Sequence, residues 1–81
     1  MNTEKIRAAI RTMAVARGDD STFCPSEVAR ALSPQDWREL MPAVRQEAFI
    51  LEAEGKLQVW QKGKQVDPAQ ASGPIRLRKA P

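Results

Sequence analysis

The sequence predicts a mainly α-helical fold with a small β-hairpin, a winged helix-turn-helix made of three helices plus a wing. Two observations predict it. Apolar residues before Gly55 recur at the three-and-four spacing of helices, and after Gly55 they alternate as in strands. The length of 81 residues suits one domain, residues 1–81, because typical domains span roughly 50 to 250 residues.

The first helix is expected to start at a capping Thr3 and to end at Gly18. Serine, threonine, aspartate and asparagine cap helix N-termini, and helices commonly stop at a glycine in a left-handed conformation. One apolar stripe follows the helical period between these two residues. Its members are Ile6, Ala9, Ile10, Met13 and Ala14.

The second helix is expected from Pro25 to Leu32, with Pro25 at the first helical position, where its missing N–H costs nothing. Ser33 and Pro34 repeat this start signal and open a turn that carries Trp37. Because proline inside a helix removes a hydrogen bond and clashes with the preceding turn, we expect a break or kink at Pro42. A fresh third helix then runs from about Pro42 to Glu54.

The strongest periodic signal in the chain crosses this third segment. One buried stripe contains Trp37, Met41, Val44, Ala48 and Leu51. At 100° per residue, Gln46 points away from that stripe, and Arg38 and Arg45 lie on its flank. The C-terminal half is apolar on the other side as well, so we expect the first helix or another subunit to cover it. The residues concerned are Phe49, Ile50 and Ala53.

After Gly55 the chain alternates in the manner of a half-buried strand, with Leu57 and Val59 on one side. Gly63 marks a turn. From Pro74 to Arg78 the alternation resumes, with Ile75 and Leu77 predicted inward and the two arginines outward. Two strands around a basic loop make the hairpin.

Composition excludes most catalytic sites. The chain has no histidine and one cysteine, so it cannot form a Ser-His-Asp triad, a Cys-His pair or an internal disulfide. Cys24, just before a helix, is either a packed small side chain or a reactive thiol. We expect no enzyme activity, no cofactor and no metal. No apolar run is long enough for a membrane span, which predicts no membrane association and a cytoplasmic location.

The net charge of +3 is concentrated near the C-terminus, where residues 56–81 hold six basic residues against Asp67 alone. Such asymmetry favours a polyanionic partner, and a solvated basic hairpin is the alternative.

Four blocks resemble a small bacterial family of unknown function with a winged-helix-like fold. They are Cys24-Pro25-Ser26-Glu27-Val28-Ala29-Arg30, Trp37-Arg38-x-Leu40-Met41-Pro42-x-Val44-Arg45, Gln61-Lys62-Gly63-x-x-Val66-Asp67-Pro68 and Gly73-Pro74-Ile75-Arg76. The resemblance spans about residues 22 to 78. It implies the fold and a bacterial origin, and no ligand. Trp60 departs from the family, as either a stacking surface or a lid over the core edge.

The leading hypothesis is that the third helix and the hairpin bind double-stranded DNA. Arginine and glutamine are competent to recognise guanine and adenine in the major groove, and lysine and arginine bind phosphate. The candidate contacts are Arg38, Arg45, Gln46, Lys62, Lys64, Arg76 and Arg78.

Two alternatives remain open from the sequence. Arg38 and Arg45 could instead form ion pairs with Glu27 or other carboxylates between the second and third helices, and three glutamates share the third helix with them. The fold could also serve as a protein-interaction module or homodimer through Phe49, Ile50 and Ala53, because apolar surface patches mark such contacts.

Overall fold

The computed structural model describes residues 2–81 as three helices and four short strands. In chain order these are α1 (Thr3–Arg17), β1 (Thr22–Phe23), α2 (Pro25–Leu32), α3 (Trp37–Ala53), β2 (Leu57–Gln61), β3 (Lys64–Gln65) and β4 (Arg76–Lys79). Three helices with a wing-like antiparallel sheet confirm the predicted winged-helix fold.

The bounds of α1 differ from the prediction at its start. Asn2, and not Thr3, is the capping residue, because its side-chain oxygen accepts a hydrogen bond of 2.9 Å from the Lys5 N–H. Gly18 ends the helix as predicted, with a φ of 85° that disfavours residues with a Cβ. Ile6, Ile10 and Ala14 form the buried stripe of the helix.

The bounds of α2 are those the sequence predicts, and Pro25 occupies the first turn. The N–H of Cys24, the residue before the helix, donates to the Glu27 carboxylate at 2.8 Å. Glu27, in the first turn of α2, therefore satisfies a backbone donor that has no partner within the helix. Val28 and Ala29 are fully buried. This short helix therefore fixes the direction in which the chain enters α3.

The prediction of a break at Pro42 and a fresh helix from there was wrong, because α3 continues from Trp37 to Ala53 with Pro42 inside it. Pro42 removes the hydrogen bond that the Arg38 carbonyl would otherwise accept from the residue four positions later. Only one turn precedes it. Of the predicted stripe, Val44, Ala48 and Leu51 are completely buried, whereas Trp37 and Met41 before the proline are half-buried against the same core. This packing offsets the loss of one backbone bond.

The sheet is antiparallel and has the order β1-β4-β2-β3. It is larger than the predicted two-strand hairpin, because β1 pairs with β4 and a two-residue turn at Lys62 and Gly63 returns the chain to β3. The register places Val59 opposite Leu77 and Leu77 opposite Phe23 on the inner face. We call β2, β3, β4 and the segments between them, residues 57–79, the wing.

One core joins the helices and the wing. Its apolar members from α1, β1, α2, α3 and the wing include Ile10, Phe23, Val28, Leu51 and Leu77, each 0–1% exposed. Ile75 and Leu77 are buried as predicted.

An ion pair between α1 and α3 adjoins this core. The Glu47 carboxylate is 4% exposed and accepts a 2.7 Å hydrogen bond from Arg7 Nε. This hydrogen bond is the main reason that the pKa of Arg7 lies above its ordinary value. Arg7 also lies 3.5 Å from the Glu54 carboxylate. The contacts place α1 against one side of α3 and leave the opposite side open.

Candidate nucleic-acid interface

The side of α3 that turns away from the core carries three of the predicted contact residues. Arg38, Arg45 and Gln46 line one open groove together with apolar neighbours, and we call this surface the α3 face. Its other lining residues are Met41, Pro42, Phe49, Ile50 and Ala53. Arg38 lies in the first turn of α3 and Arg45 and Gln46 near its middle, and the aromatic and branched side chains lie in the C-terminal half.

The α1 helix does not cover the apolar half of the α3 face. It contacts α3 through Glu47 on the other side, while Ala53 is exposed and Phe49 and Ile50 are half-buried. The expectation that the first helix covers these residues was therefore wrong, and cover by another subunit stays a prediction. The groove of about 790 Å³ leaves their outer surface accessible to another molecule.

The arginines of the α3 face are not sealed in internal ion pairs. Across residues 2–81, neither Arg38 nor Arg45 has a carboxylate oxygen within 4.0 Å. Glu27, their proposed partner, binds Arg17 and the Cys24 N–H instead. These contacts, the Cys24 hydrogen bond foremost, hold the pKa of Glu27 below its usual range. The ion-pair alternative was therefore wrong.

Arg38 stacks on Trp37, and a second arginine that the sequence reasoning missed does the same. The guanidinium carbons of Arg38 and Arg30 lie 4.4 and 4.2 Å from the centroid of the Trp37 ring. Stacking of this kind orients a guanidinium while leaving its in-plane N–H groups free. Arg30 belongs to the last turn of α2, so the corner between α2 and α3 carries two exposed cations.

Arg45 links the α3 face to the wing. Its Nη1 donates a long hydrogen bond of 3.5 Å to the Gly73 carbonyl, and its guanidinium lies 5.6 Å from the centre of the Phe49 ring. The Gln61 side-chain amide holds the same loop, donating to the carbonyls of Ser72 at 2.7 Å and Pro74 at 2.9 Å. The loop before β4 therefore joins the middle of α3 to the end of β2.

Lys62 and Lys64 lie at the turn beyond Gln61, and both are exposed. Neither has an ion-pair partner in the part of the chain that the structure describes. Lys62 has a φ of 52° and Gly63 a φ of 78°, the signs that a type I′ hairpin turn requires at both central positions. Asparagine or glycine adopts the first position at lower cost than lysine.

Arg76 and Arg78 point outward as predicted, but they have partners of their own. Arg76 donates two 3.0 Å hydrogen bonds to Thr22, one to the hydroxyl and one to the carbonyl. Arg78 donates to the Asp19 carbonyl at 2.6 Å and approaches the Asp20 carboxylate at 3.4 Å. The structure thus separates these two arginines from the α3 face and uses them to hold β1 and the turn before it.

Trp60 lies on the outer side of the sheet, opposite to the buried Val59. Its indole Nε1 donates to the Gln58 side chain at 2.9 Å, and the Arg78 guanidinium lies 5.0 Å from its ring centre. Trp60 therefore has an amide and a cation of this chain as neighbours. Its role as a lid over the core edge stays a prediction.

The three carboxylates of α3 are placed differently from one another. Glu47 is buried against Arg7 on the far side of the helix. Glu39 is exposed and Glu52 half-buried, and neither lines the groove of the α3 face. No carboxylate of α3 therefore lines this groove.

Cys24 is half-buried, and its Sγ accepts a 3.0 Å hydrogen bond from the Ser26 hydroxyl. Among residues 2–81, no three cysteine, aspartate or glutamate side chains converge as metal ligands. None of the described helices has the length and apolarity needed to cross a membrane.

Comparison with known proteins extends the sequence resemblance to nearly the whole chain. Residues 3–80 match the model of a family described as "Protein of unknown function (DUF3253)". No curated protein matches the chain.

Proposed function

The chain belongs to the DUF3253 family of proteins of unknown function, and we propose that it binds double-stranded DNA with the α3 face and the wing. In helix-turn-helix proteins the second helix of the motif enters the major groove with its N-terminal residues. Here that helix is α3. The proposal assigns the protein a binding role without catalysis, in the bacterial cytoplasm.

One observation carries the proposal. The α3 face presents Arg38 in the first turn of the helix and Arg45 and Gln46 near its middle, and among residues 2–81 no carboxylate neutralises the two arginines. A bidentate arginine contact with guanine contributes about 1–3 kcal/mol of discrimination against other bases. Glutamine supplies the corresponding donor and acceptor pair for adenine.

The wing supports the same proposal. The loop bound by Arg45 and Gln61 connects the strand before the turn of Lys62 and Lys64 to the side of α3. The proposal therefore assigns both lysines to phosphates next to the bound groove. Lysines on phosphate raise affinity without reading sequence. Arg76 and Arg78 contribute to the positive field in this proposal, while their hydrogen bonds keep β1 on the sheet.

Fluorescence anisotropy with a labelled random duplex tests the proposal. The R38A/R45A variant removes the two arginines of the α3 face, and the K5A/R11A variant removes the same charge from exposed positions on α1. We expect low-salt binding by the wild type and by K5A/R11A and a loss of at least about tenfold in R38A/R45A, since two cationic contacts with the duplex are lost at low salt. Equal losses in the two variants, or no wild-type binding at 50 mM salt, would contradict the proposal.

A second candidate function rests on the apolar half of the α3 face. Phe49, Ile50 and Ala53 line an open groove and so form the kind of surface that binds another protein chain. A homodimer through these residues would also present two α3 helices to a two-fold DNA site. Sedimentation velocity of the wild type and of I50D tests it. Dimerisation that I50D abolishes supports the candidate, and a monomer at high micromolar concentration removes the homodimer.

A further inference from the structure

We infer that Arg30 and Arg38, stacked on Trp37 at the corner between α2 and α3, form a phosphate-binding site that anchors the DNA backbone. This inference rests on the proposed function and adds to it Arg30, a residue outside α3. It assigns Arg38 to the DNA backbone and leaves Arg45 and Gln46 as the base contacts. The ligand is a phosphodiester group of duplex DNA, bound by in-plane guanidinium N–H groups.

Neither arginine of the corner is neutralised within residues 2–81. Arg30 and Arg38 are exposed, and within residues 2–81 neither donates a side-chain hydrogen bond nor reaches a carboxylate within 4.0 Å. The carboxylates nearest in sequence, Asp36 and Glu39, form no ion pair with them. Both guanidinium groups therefore retain their full set of donors for an external anion.

The Trp37 ring fixes the position of these two cations. The half-buried Trp37 packs against the core, and its ring lies 4.2 Å from the Arg30 guanidinium carbon and 4.4 Å from that of Arg38. A guanidinium held on an aromatic face loses less conformational freedom when it binds than one that is free in solvent. The corner thus holds two like charges near each other without an internal counter-ion, an arrangement that an anion stabilises.

The corner lies beside the N-terminus of α3, the second helix of the motif. The N-terminus of α3 has no side-chain cap, since Asp36 accepts the Glu39 N–H through its backbone carbonyl only. The N–H groups of the first helical turn add partial positive charge beside the two arginines. In helix-turn-helix complexes the first helix of the motif crosses the DNA backbone, and Arg30 lies in the last turn of that helix, α2.

The test compares R30Q, which removes one charge at the corner, with R11Q, which removes one charge from α1. Anisotropy with the random duplex is measured at 50 and 200 mM salt. Loss of one phosphate contact lowers the log–log salt slope by about 0.9, so the affinity ratio of wild type to R30Q should change about 3.5-fold over this range. The ratio for R11Q should stay constant, and R30K, which keeps the charge, should retain the wild-type slope.

The outcomes distinguish the phosphate anchor from the proposed DNA-binding function. Wild-type binding with a reduced slope in R30Q alone supports the anchor. Wild-type binding with equal slopes in R30Q and R11Q overturns the anchor and leaves the proposed function intact, whereas absence of wild-type binding overturns both.

The emission of Trp37 supplies a second readout that does not depend on a variant of the corner. In a W60F protein Trp37 is the remaining tryptophan. We expect its fluorescence to change as the unlabelled random duplex is added, because a phosphate bound by the stacked guanidinium groups changes the electrostatic field at the indole. Emission that stays constant up to saturation of the anisotropy signal overturns the anchor.

Discussion

Replacement of Lys62 by asparagine should stabilise the fold and weaken DNA binding at the same time. Lys62 occupies the first central position of the β2–β3 turn with a φ of 52°, and its side chain is exposed and unpaired. An L-residue in this left-handed region costs roughly 1–2 kcal/mol, and asparagine tolerates it better than most residues. Asn-Gly is also the preferred sequence of a type I′ turn. The K62N variant should therefore gain about 1 kcal/mol.

For a domain of this size, 1 kcal/mol corresponds to a rise in Tm of about 4 to 8 °C, which differential scanning calorimetry resolves. The same variant loses one phosphate contact, so the salt slope of duplex binding should fall by about 0.9. The matched control is K64N, because Lys64 lies in β3 with strand geometry and carries the same charge. K64N should lower the salt slope equally without raising the Tm.

Two results would refute this reasoning. A K62N protein that melts at or below the wild-type temperature would show that the turn is not strained by lysine. A salt slope identical to wild type in both variants would remove the wing from the DNA contact. Stabilising the turn and losing affinity together is the outcome expected where a functional side chain occupies a conformationally costly position.

Three further predictions concern α3, α2 and the wing. P42A should raise the free energy of unfolding by about 1.5 kcal/mol, because it restores a helical hydrogen bond and loses only part of this gain to the entropy of the unfolded chain. The measurement is the unfolding midpoint in urea. P34A, in the exposed turn before α3, should not raise this midpoint. For Glu27, whose pKa lies below its ordinary value of about 4.5, the stabilising contribution is present above the unfolded-state pKa and is lost as pH falls through the folded-state pKa. The stability gap between wild type and E27Q in pH-dependent urea titrations should therefore narrow as pH falls below the ordinary glutamate pKa of about 4.5, and a gap that widens there contradicts the assignment. The K62A/K64A double variant should reduce the duplex salt slope by about 1.8, and an unchanged slope would remove both lysines from the interface.

The helices were predictable from the sequence because their signals are local. Pro25 at the start of α2 and Gly18 after α1 each act within one turn, and the apolar stripe of α3 spans the whole segment. The prediction of a break at Pro42 was wrong because the rule that proline ends a helix considers only the neighbouring residues. Val44, Ala48 and Leu51 after the proline are buried, and the half-buried Trp37, Leu40 and Met41 before it pack against the same core. This tertiary packing outweighs one missing hydrogen bond, and a local rule does not include it.

The short strands and the basic corner were harder to predict from the sequence. Thr22 and Phe23 become a strand only by pairing with Arg78 and Leu77, more than fifty residues away, and two residues carry no period of their own. Arg30 was missed because its helix was judged by its apolar residues alone. An arginine seven positions before a tryptophan, across a turn that begins with Ser33 and Pro34, was the available signal for the stacked pair.

The most direct measurement of the central claim is the change in backbone amide chemical shifts when an unlabelled duplex is added to isotope-labelled protein at 50 mM salt. DNA binding by the α3 face and the wing predicts that the perturbed amides lie in residues 38–46 and 61–64, with α1 unaffected. Amide shifts that remain constant throughout the titration, or that change chiefly along α1, would contradict it.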